Sequence, residues 1–312
     1  MNFIDLHCDT LYKAVTQKSK LDDPSYEVKL NNNSNFYKLQ CYAIWLPDNL
    51  ESKNAEKLFF ESADYLKSEC NRLGIKLFNI GEFTDSVFSK FQNSAFFTVE
   101  NGKALNGKIE NVKRFAELGV RIMTLTWNDK NEIGSGVLSI DKCGLTDFGK
   151  LAVAEMGKYG IVVDVSHASD ELFYDVVNHT NKPFIATHSN SRTITQNPRN
   201  LTDEQIKIII QRGGIIGLNL HGAFLNNNPD KACMEDVLRH CEHMLSLGCE
   251  NSLCFGTDFD GCDLPRDIVG SDSIGEIYEL FLRNNYNESI LKKIFYENAY
   301  NFFENFDNQR IM

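Results

Sequence analysis

Eight short apolar runs punctuate this chain, and between them hydrophobic residues recur at helical spacing. The runs cover 2–9, 36–46, 94–100, 120–127, 161–166, 183–188, 215–220 and 251–258. Stretches 55–73, 109–118, 147–159, 168–177, 202–211, 232–247, 273–284 and 288–303 carry the 3.6-residue period instead, several of them stopped by glycine (Gly74, Gly119, Gly160, Gly248). The Asn-rich stretch 30–35 reads as a surface loop. Strands alternating with helices predict a parallel sheet with helices outside it. Eight such units predict a (β/α)8 barrel of the TIM type, a single domain over 1–312 with helices 273–304 packed on it. An open doubly wound sheet would carry a Gly-rich turn after its first strand, where this chain has Asp9-Thr10-Leu11.

In such a barrel the chemistry sits at the C-terminal ends of the strands. The first run ends in His7 and Asp9, the third in Glu100, the fourth in Trp127 with Asn128 following, the fifth in His167, the sixth in His188 and the eighth in Asp258. The residue two places earlier is apolar or small (Thr98, Leu125, Val165, Ala186, Gly256), as if side chains lay in layers with a polar one on top. Three histidines and three carboxylates on one ring are costly to gather away from water unless a cation joins them. His7, Asp9, His167 and His188, with Glu100 as the bridging carboxylate, would form two neighbouring sites for a borderline metal. Two ions about 3.5–4 Å apart would polarise a carbonyl and generate a bridging hydroxide at neutral pH. Asp258 is then placed to move protons or to hold a cationic amine.

Other candidates have plainer readings. Asp5 reads as a buried partner of the ligands rather than a ligand, and Cys8 as pointing to the opposite strand face. His240 and His243, three apart on an outer helix, read as surface histidines, and His179 as a helix C-terminal residue. His221 follows the seventh run and is a candidate for the pocket wall. Arg199 could clamp a substrate carboxylate, with Arg192 as an alternative; a loop-ordering ion pair is the plainer reading of both.

Charge and cysteine usage narrow the class further. The net charge of −11 over 312 residues argues against a nucleic acid partner and against an anionic membrane surface. No apolar run approaches the length of a membrane span. Nine cysteines without CxxC spacing suggest free thiols in a reducing cytoplasm.

The ordered set of motifs resembles the membrane (renal) dipeptidase family of zinc metallopeptidases, peptidase family M19, in a bacterial-type cytosolic form. It comprises His7-Cys8-Asp9-Thr10, Glu100-Asn101-Gly102, Asp164-Val165-Ser166-His167, Thr187-His188-Ser189-Asn190, Arg199-Asn200 and Gly256-Thr257-Asp258-Phe259-Asp260-Gly261. Spacings of 21 residues from His167 to His188, 11 on to Arg199 and 70 from His188 to Asp258 match as well. The resemblance implies two zinc ions, one held by His7, Asp9 and Glu100 and the other by Glu100, His167 and His188. It implies hydrolysis of dipeptides with tolerance for a D-residue at the C-terminal position, Arg199 on the carboxylate, and Asp258 on the proton or the amine. Mammalian members carry a histidine where this chain has Trp127, so the Trp127 indole, Asn128 or the metal would have to serve the carbonyl oxygen. A cyclic amidase or lactonase on the same barrel, or a metal-binding barrel without turnover, are the competing readings. Barrels of this kind often form homodimers, but no interface is legible in the sequence.

Overall fold

The computed structural model describes residues 2–30 and 36–308. Most of the expected Asn-rich loop therefore lies outside the described residues. The strands are β1 (Phe3–Cys8), β2 (Lys38–Trp45), β3 (Lys76–Leu77), β4 (Asn93–Glu100), β5 (Val120–Thr124), β6 (Val162–Asp164), β7 (Ile216–Leu218) and β8 (Leu253–Phe255). All pair in parallel, in the order β6-β5-β4-β2-β1-β8-β7, with the two-residue β3 beside the start of β4.

The expected sixth strand at 183–188 is not a regular strand. It survives as two parallel bridges, Asp164 to Ile185 and Ala186 to Ile216, which close the sheet between β6 and β7. Val165 N–H donates to Ile185 O at 2.8 Å and Gly217 N–H to Ala186 O at 2.8 Å, so the (β/α)8 barrel is continuous. The approach there is too close for side chains. A Cβ on Gly217 or Gly256 would lie 1.9 or 1.7 Å from the Thr187 carbonyl oxygen.

The helices are α1 (Thr10–Gln17), α2 (Ser52–Leu73), α3 (Asp85–Phe88), α4 (Glu110–Glu117), α5 (Asp147–Tyr159), α6 (Asp170–His179), α7 (Asp203–Gln211), α8 (Gly222–Leu225), α9 (Met234–Ser246), α10 (Ile274–Arg283), α11 (Glu288–Lys292) and α12 (Asn298–Asn308). Local chemistry sets their ends. Thr202 and Gln205 form a reciprocal capping box at α7, and Ser169 accepts from Leu172 N–H at α6. The helix expected over 288–303 is broken by a π-helical turn at Lys293–Glu297. The short helices α1, α3 and α8 carry too little period to be legible.

Alternation along the strands separates an apolar floor from a polar rim. Ile4, Leu39, Phe96, Ile122, Val162 and Ile185 share one buried cluster with Phe302, Phe303 and Phe306 of α12, which packs against the barrel there. Two residues further along four of these segments come Thr98, Thr124, Asp164 and Thr187, all buried, and two beyond Thr98 comes Glu100. The floor thus hands over to hydrogen-bonding groups within one layer.

Candidate metal centre

Glu100, the last residue of β4, stands at the middle of the ring. Its Oε1 lies 2.8 Å from His167 Nε2 and 3.6 Å from His188 Nε2, while its Oε2 lies 3.6 Å from His7 Nε2. His7 Nε2 in turn lies 3.5 Å from Asp9 Oδ2 and 3.8 Å from Asp258 Oδ1. One carboxylate oxygen therefore faces one histidine pair, and the other faces a second cluster. All six side chains are buried.

The backbone brings them together by means that strand alternation alone does not supply. Asp9 lies beyond β1, as the residue that opens α1, so strand alternation does not set its direction. Its carboxylate has room because Gly261 lacks a side chain; a Cβ there would sit 1.9 Å from Asp9 Oδ2. Val165, two before His167, belongs to the core shared with the helices, so a continued strand would turn His167 outward. A left-handed backbone at His167 (φ 67°) redirects it, and Asp258 (φ 64°) and Asp260 (φ 66°) adopt the same rare conformation. Such backbone strain, about 1–3 kcal/mol per residue, persists where the surroundings hold it and clusters at functional sites.

Hydrogen bonds from behind fix which nitrogen faces the ring. His188 Nδ1 lies 2.7 Å from Thr187 Oγ1, whose own proton goes to Asp164 Oδ2 at 2.6 Å. Thr187 therefore accepts from Nδ1–H, and His188 Nε2 presents a bare lone pair. His167 Nδ1–H points at Asn128 Oδ1 at 2.9 Å, which leaves its Nε2 bare as well. The two Nε2 atoms are 3.0 Å apart. Two lone pairs cannot satisfy each other, and His7 Nε2 and Asp9 Oδ1 are buried without a hydrogen-bond partner. This donor set fits divalent cations.

The charge balance points the same way. Burial opposes a charged His7, yet Glu100, Asp9 and Asp258 outweigh it and raise the imidazole to about 10. Burial pushes the Glu100 and Asp258 carboxyls up, with Asp9 adding to the effect. Burial, aided by Arg199 and His7, pushes His167 and His188 well down. The carboxylates that raise His7 are gathered on its side of the ring, where cations would stand.

A cavity of about 560 Å³ opens onto this cluster. Asp9, Glu100, His167 and Asp258 form its base, and Trp127, Asn128, Arg199 and His221 are in its wall. Trp127 packs edge-on against Trp45, which packs edge-on against Tyr12, with ring centroids 4.8 Å apart in each pair. Arg199 is buried, its guanidinium 5.2 Å from the Phe224 ring centre, and among the described residues no carboxylate forms an ion pair with it. Burial lowers it to about 10. Arg192 is different: it makes a two-pronged ion pair with Asp170 at 3.0 Å and orders a loop.

Several supporting residues carried no legible role in the sequence. Asn219 Nδ2 donates to Asp258 Oδ2 at 2.9 Å. Asp164 accepts four hydrogen bonds, from Thr124, Ser166 N–H and both polar groups of Thr187. Asp5 behaves as expected of a supporting carboxylate, accepting from His7 N–H, Gln40 and Thr257. Cys8 turns away, to the Cys41 carbonyl. His179 ends α6, bonded to Asp175 O. His240 corrects the expectation of a surface residue, because it is fully buried, whereas His243 pairs with Asp203 at 2.8 Å.

Comparison with known proteins identifies the family and the fold. The family model for membrane dipeptidase (peptidase family M19) matches residues 1–310. A metallo peptidase from Rhodobacter sphaeroides, liganded with a phosphinate mimic of the dipeptide L-Ala-D-Ala, superimposes with a TM-score of 0.90 at 23% identity, over 97% of this chain and 99% of that one. A crystal structure of dipeptidase AC, a metallo peptidase of family M19, superimposes with a TM-score of 0.90 at 25% identity, over 97% and 98%. An uncharacterized dipeptidase of Schizosaccharomyces pombe is 27% identical over 209 residues, which are 64% of this chain but only half the length of that protein. With its whole length matched and its donor ring in place, the chain belongs to the membrane dipeptidase family, peptidase family M19, and is a metallopeptidase-type hydrolase of the dipeptidase class.

Proposed function

We propose that this protein is a zinc-dependent dipeptidase that holds two ions and tolerates a D-residue at the C-terminal position of its substrate. His7, Asp9 and Glu100 would hold one ion, and Glu100, His167 and His188 the other. The observation that carries the proposal is the division of Glu100, whose two oxygens face two separate sets of bare donor atoms. Mixed imidazole and carboxylate donors suit zinc. When bound, two such ions supply Lewis-acid polarisation of the scissile carbonyl and a hydroxide nucleophile from water at neutral pH.

The rest of the chemistry falls to the chain itself. Arg199 is a buried cation that no carboxylate among the described residues pairs with, and it binds the substrate's C-terminal carboxylate. Asp258, held by Asn219 through Oδ2, keeps Oδ1 on the ring side to carry a proton to the leaving amine. Asn128 keeps His167 in the tautomer that aims Nε2 inward, so its part is orientation as well as wall. Trp127, Trp45 and Tyr12 form an aromatic wall that limits water on the reacting side. Arg199 and the ring border the same cavity, so a carboxylate held by Arg199 lies close to the scissile bond, as in a dipeptide. Tolerance of a D-residue draws support from the ligand of the Rhodobacter sphaeroides structure. The nine cysteines are all free, which supports a reducing, cytoplasmic setting.

The test is hydrolysis of a dipeptide panel, including Ala-Ala with an L- or D-residue second, by zinc-loaded protein beside a chelated control and a tripeptide. Zinc-dependent cleavage confined to dipeptides is expected. Two equivalents of zinc bound with no dipeptide cleaved would overturn the proposal and direct attention to cyclic amides and lactones.

A further inference from the structure

His240 lies on α9, outside the ring of metal-site residues, yet it is fully buried and every polar atom of its ring is used. Ser191 N–H donates to His240 Nδ1 at 3.1 Å, which places the ring proton on Nε2. That proton points at Leu225 O at 3.1 Å, and Thr195 Oγ1 lies 3.3 Å from the same nitrogen. Thr195 donates to Leu225 O as well, at 2.8 Å. One imidazole thus joins three separate pieces of chain: α9, the loop that follows His188, and the end of α8.

Those two partners carry the wall around Arg199. Asn200 completes the junction, with Nδ2 donating to Thr195 O at 3.0 Å and to Phe224 O at 2.9 Å. Arg199 sits on this loop, and Phe224, under its guanidinium, sits on α8. A leucine could fill the space of His240. It could not accept an N–H from one loop while donating to a carbonyl of the other, so the separation of the two would no longer be fixed.

We propose that His240 is the positioning residue of the carboxylate clamp, holding the Arg199 loop and the Phe224 helix at one separation. The inference rests on the proposed role of Arg199, and the experiment separates the two. Zinc-loaded wild type, His240→Leu, His240→Asn and Arg199→Met are compared on Ala-Ala and on its C-terminal amide, with zinc content and melting temperature as controls. In His240→Leu, kcat/KM for Ala-Ala is expected to fall about 10- to 100-fold, the range for a misplacement on the order of 1 Å. The loss should sit in KM, with amide turnover changed less than about twofold. His240→Asn, whose side-chain oxygen can still accept from Ser191 N–H, should recover part of the loss. Should His240→Leu fail to fold, His240→Asn and Thr195→Val carry the same comparison.

Equal losses on both substrates, or none on either, would overturn the positioning role. If Arg199→Met also leaves the preference for the free acid intact, the clamp itself is wrong. If Arg199→Met abolishes that preference while the His240 variants keep it, only the role of His240 fails.

Discussion

Replacing Thr187 by valine isolates the hydrogen bond that orients His188. The two side chains have nearly the same shape, so packing is preserved while one hydroxyl is lost. That hydroxyl stands 2.7 Å from His188 Nδ1 and 2.6 Å from Asp164 Oδ2. Asp164 is not stranded by the change, because it keeps Thr124 Oγ1 and the N–H groups of Ser166 and Thr187. The burden falls on His188, whose Nδ1–H is left in a fully buried position with no acceptor. A hydrogen bond within a charged network contributes about 1.5–3 kcal/mol. Loss of such support behind a ligand weakens metal binding about 10- to 100-fold, or roughly 1.4–2.7 kcal/mol; the two figures agree. The assay is competition for zinc against a chromogenic chelator at neutral pH, with Thr187→Ser as the variant that restores the hydroxyl. The weaker binding should appear in one of two zinc equivalents and be restored by serine. Unchanged affinity for both equivalents, alongside a lower melting temperature of the metal-free protein, would refute the reasoning and reduce Thr187 to a packing residue.

Three further outcomes follow from named contacts. Asp258→Asn should lower kcat about 10²- to 10⁴-fold, the usual contribution of a positioned proton carrier, with zinc content unchanged; a variant with wild-type kcat would remove Asp258 from the chemistry. Arg121 and Asp307 form a buried ion pair at 2.5 Å that ties α12 to β5, so Arg121→Met should reduce stability by about 3–5 kcal/mol in urea melts, and a loss under 1 kcal/mol would show that the pair is dispensable. Burial, against hydrogen bonding to Leu225, lowers His240 to about 4. The unfolded chain takes up this proton first, near 6.5, so stability is fully present above that pH and is lost as pH falls toward 4. The loss should reach about 3 kcal/mol, visible as a urea-midpoint shift in wild type that His240→Asn lacks.

The sequence by itself determined the architecture and named the candidates for the site. Eight apolar runs alternating with helical stretches leave little choice but a closed parallel barrel, because each run must be buried on both faces. The polar ends of those runs named His7, Asp9, Glu100, His167, His188 and Asp258, since in a barrel only the strand ends open onto the site. Tertiary structure alone decided how those residues face one another. The left-handed turn at His167, the seating of Asp9 against Gly261 and the reduction of the sixth strand to two bridges are decided by how the segments pack, which no local period encodes. The same holds for Arg192 and Arg199, two loop arginines alike in sequence: the first found Asp170, and the second is buried with no carboxylate among the described residues paired to it. His240 shows the limit most plainly. It lies three residues after Val237 and four before Met244, on the buried stripe of α9, and only the loops folded over it supply the partners that let a polar ring sit there.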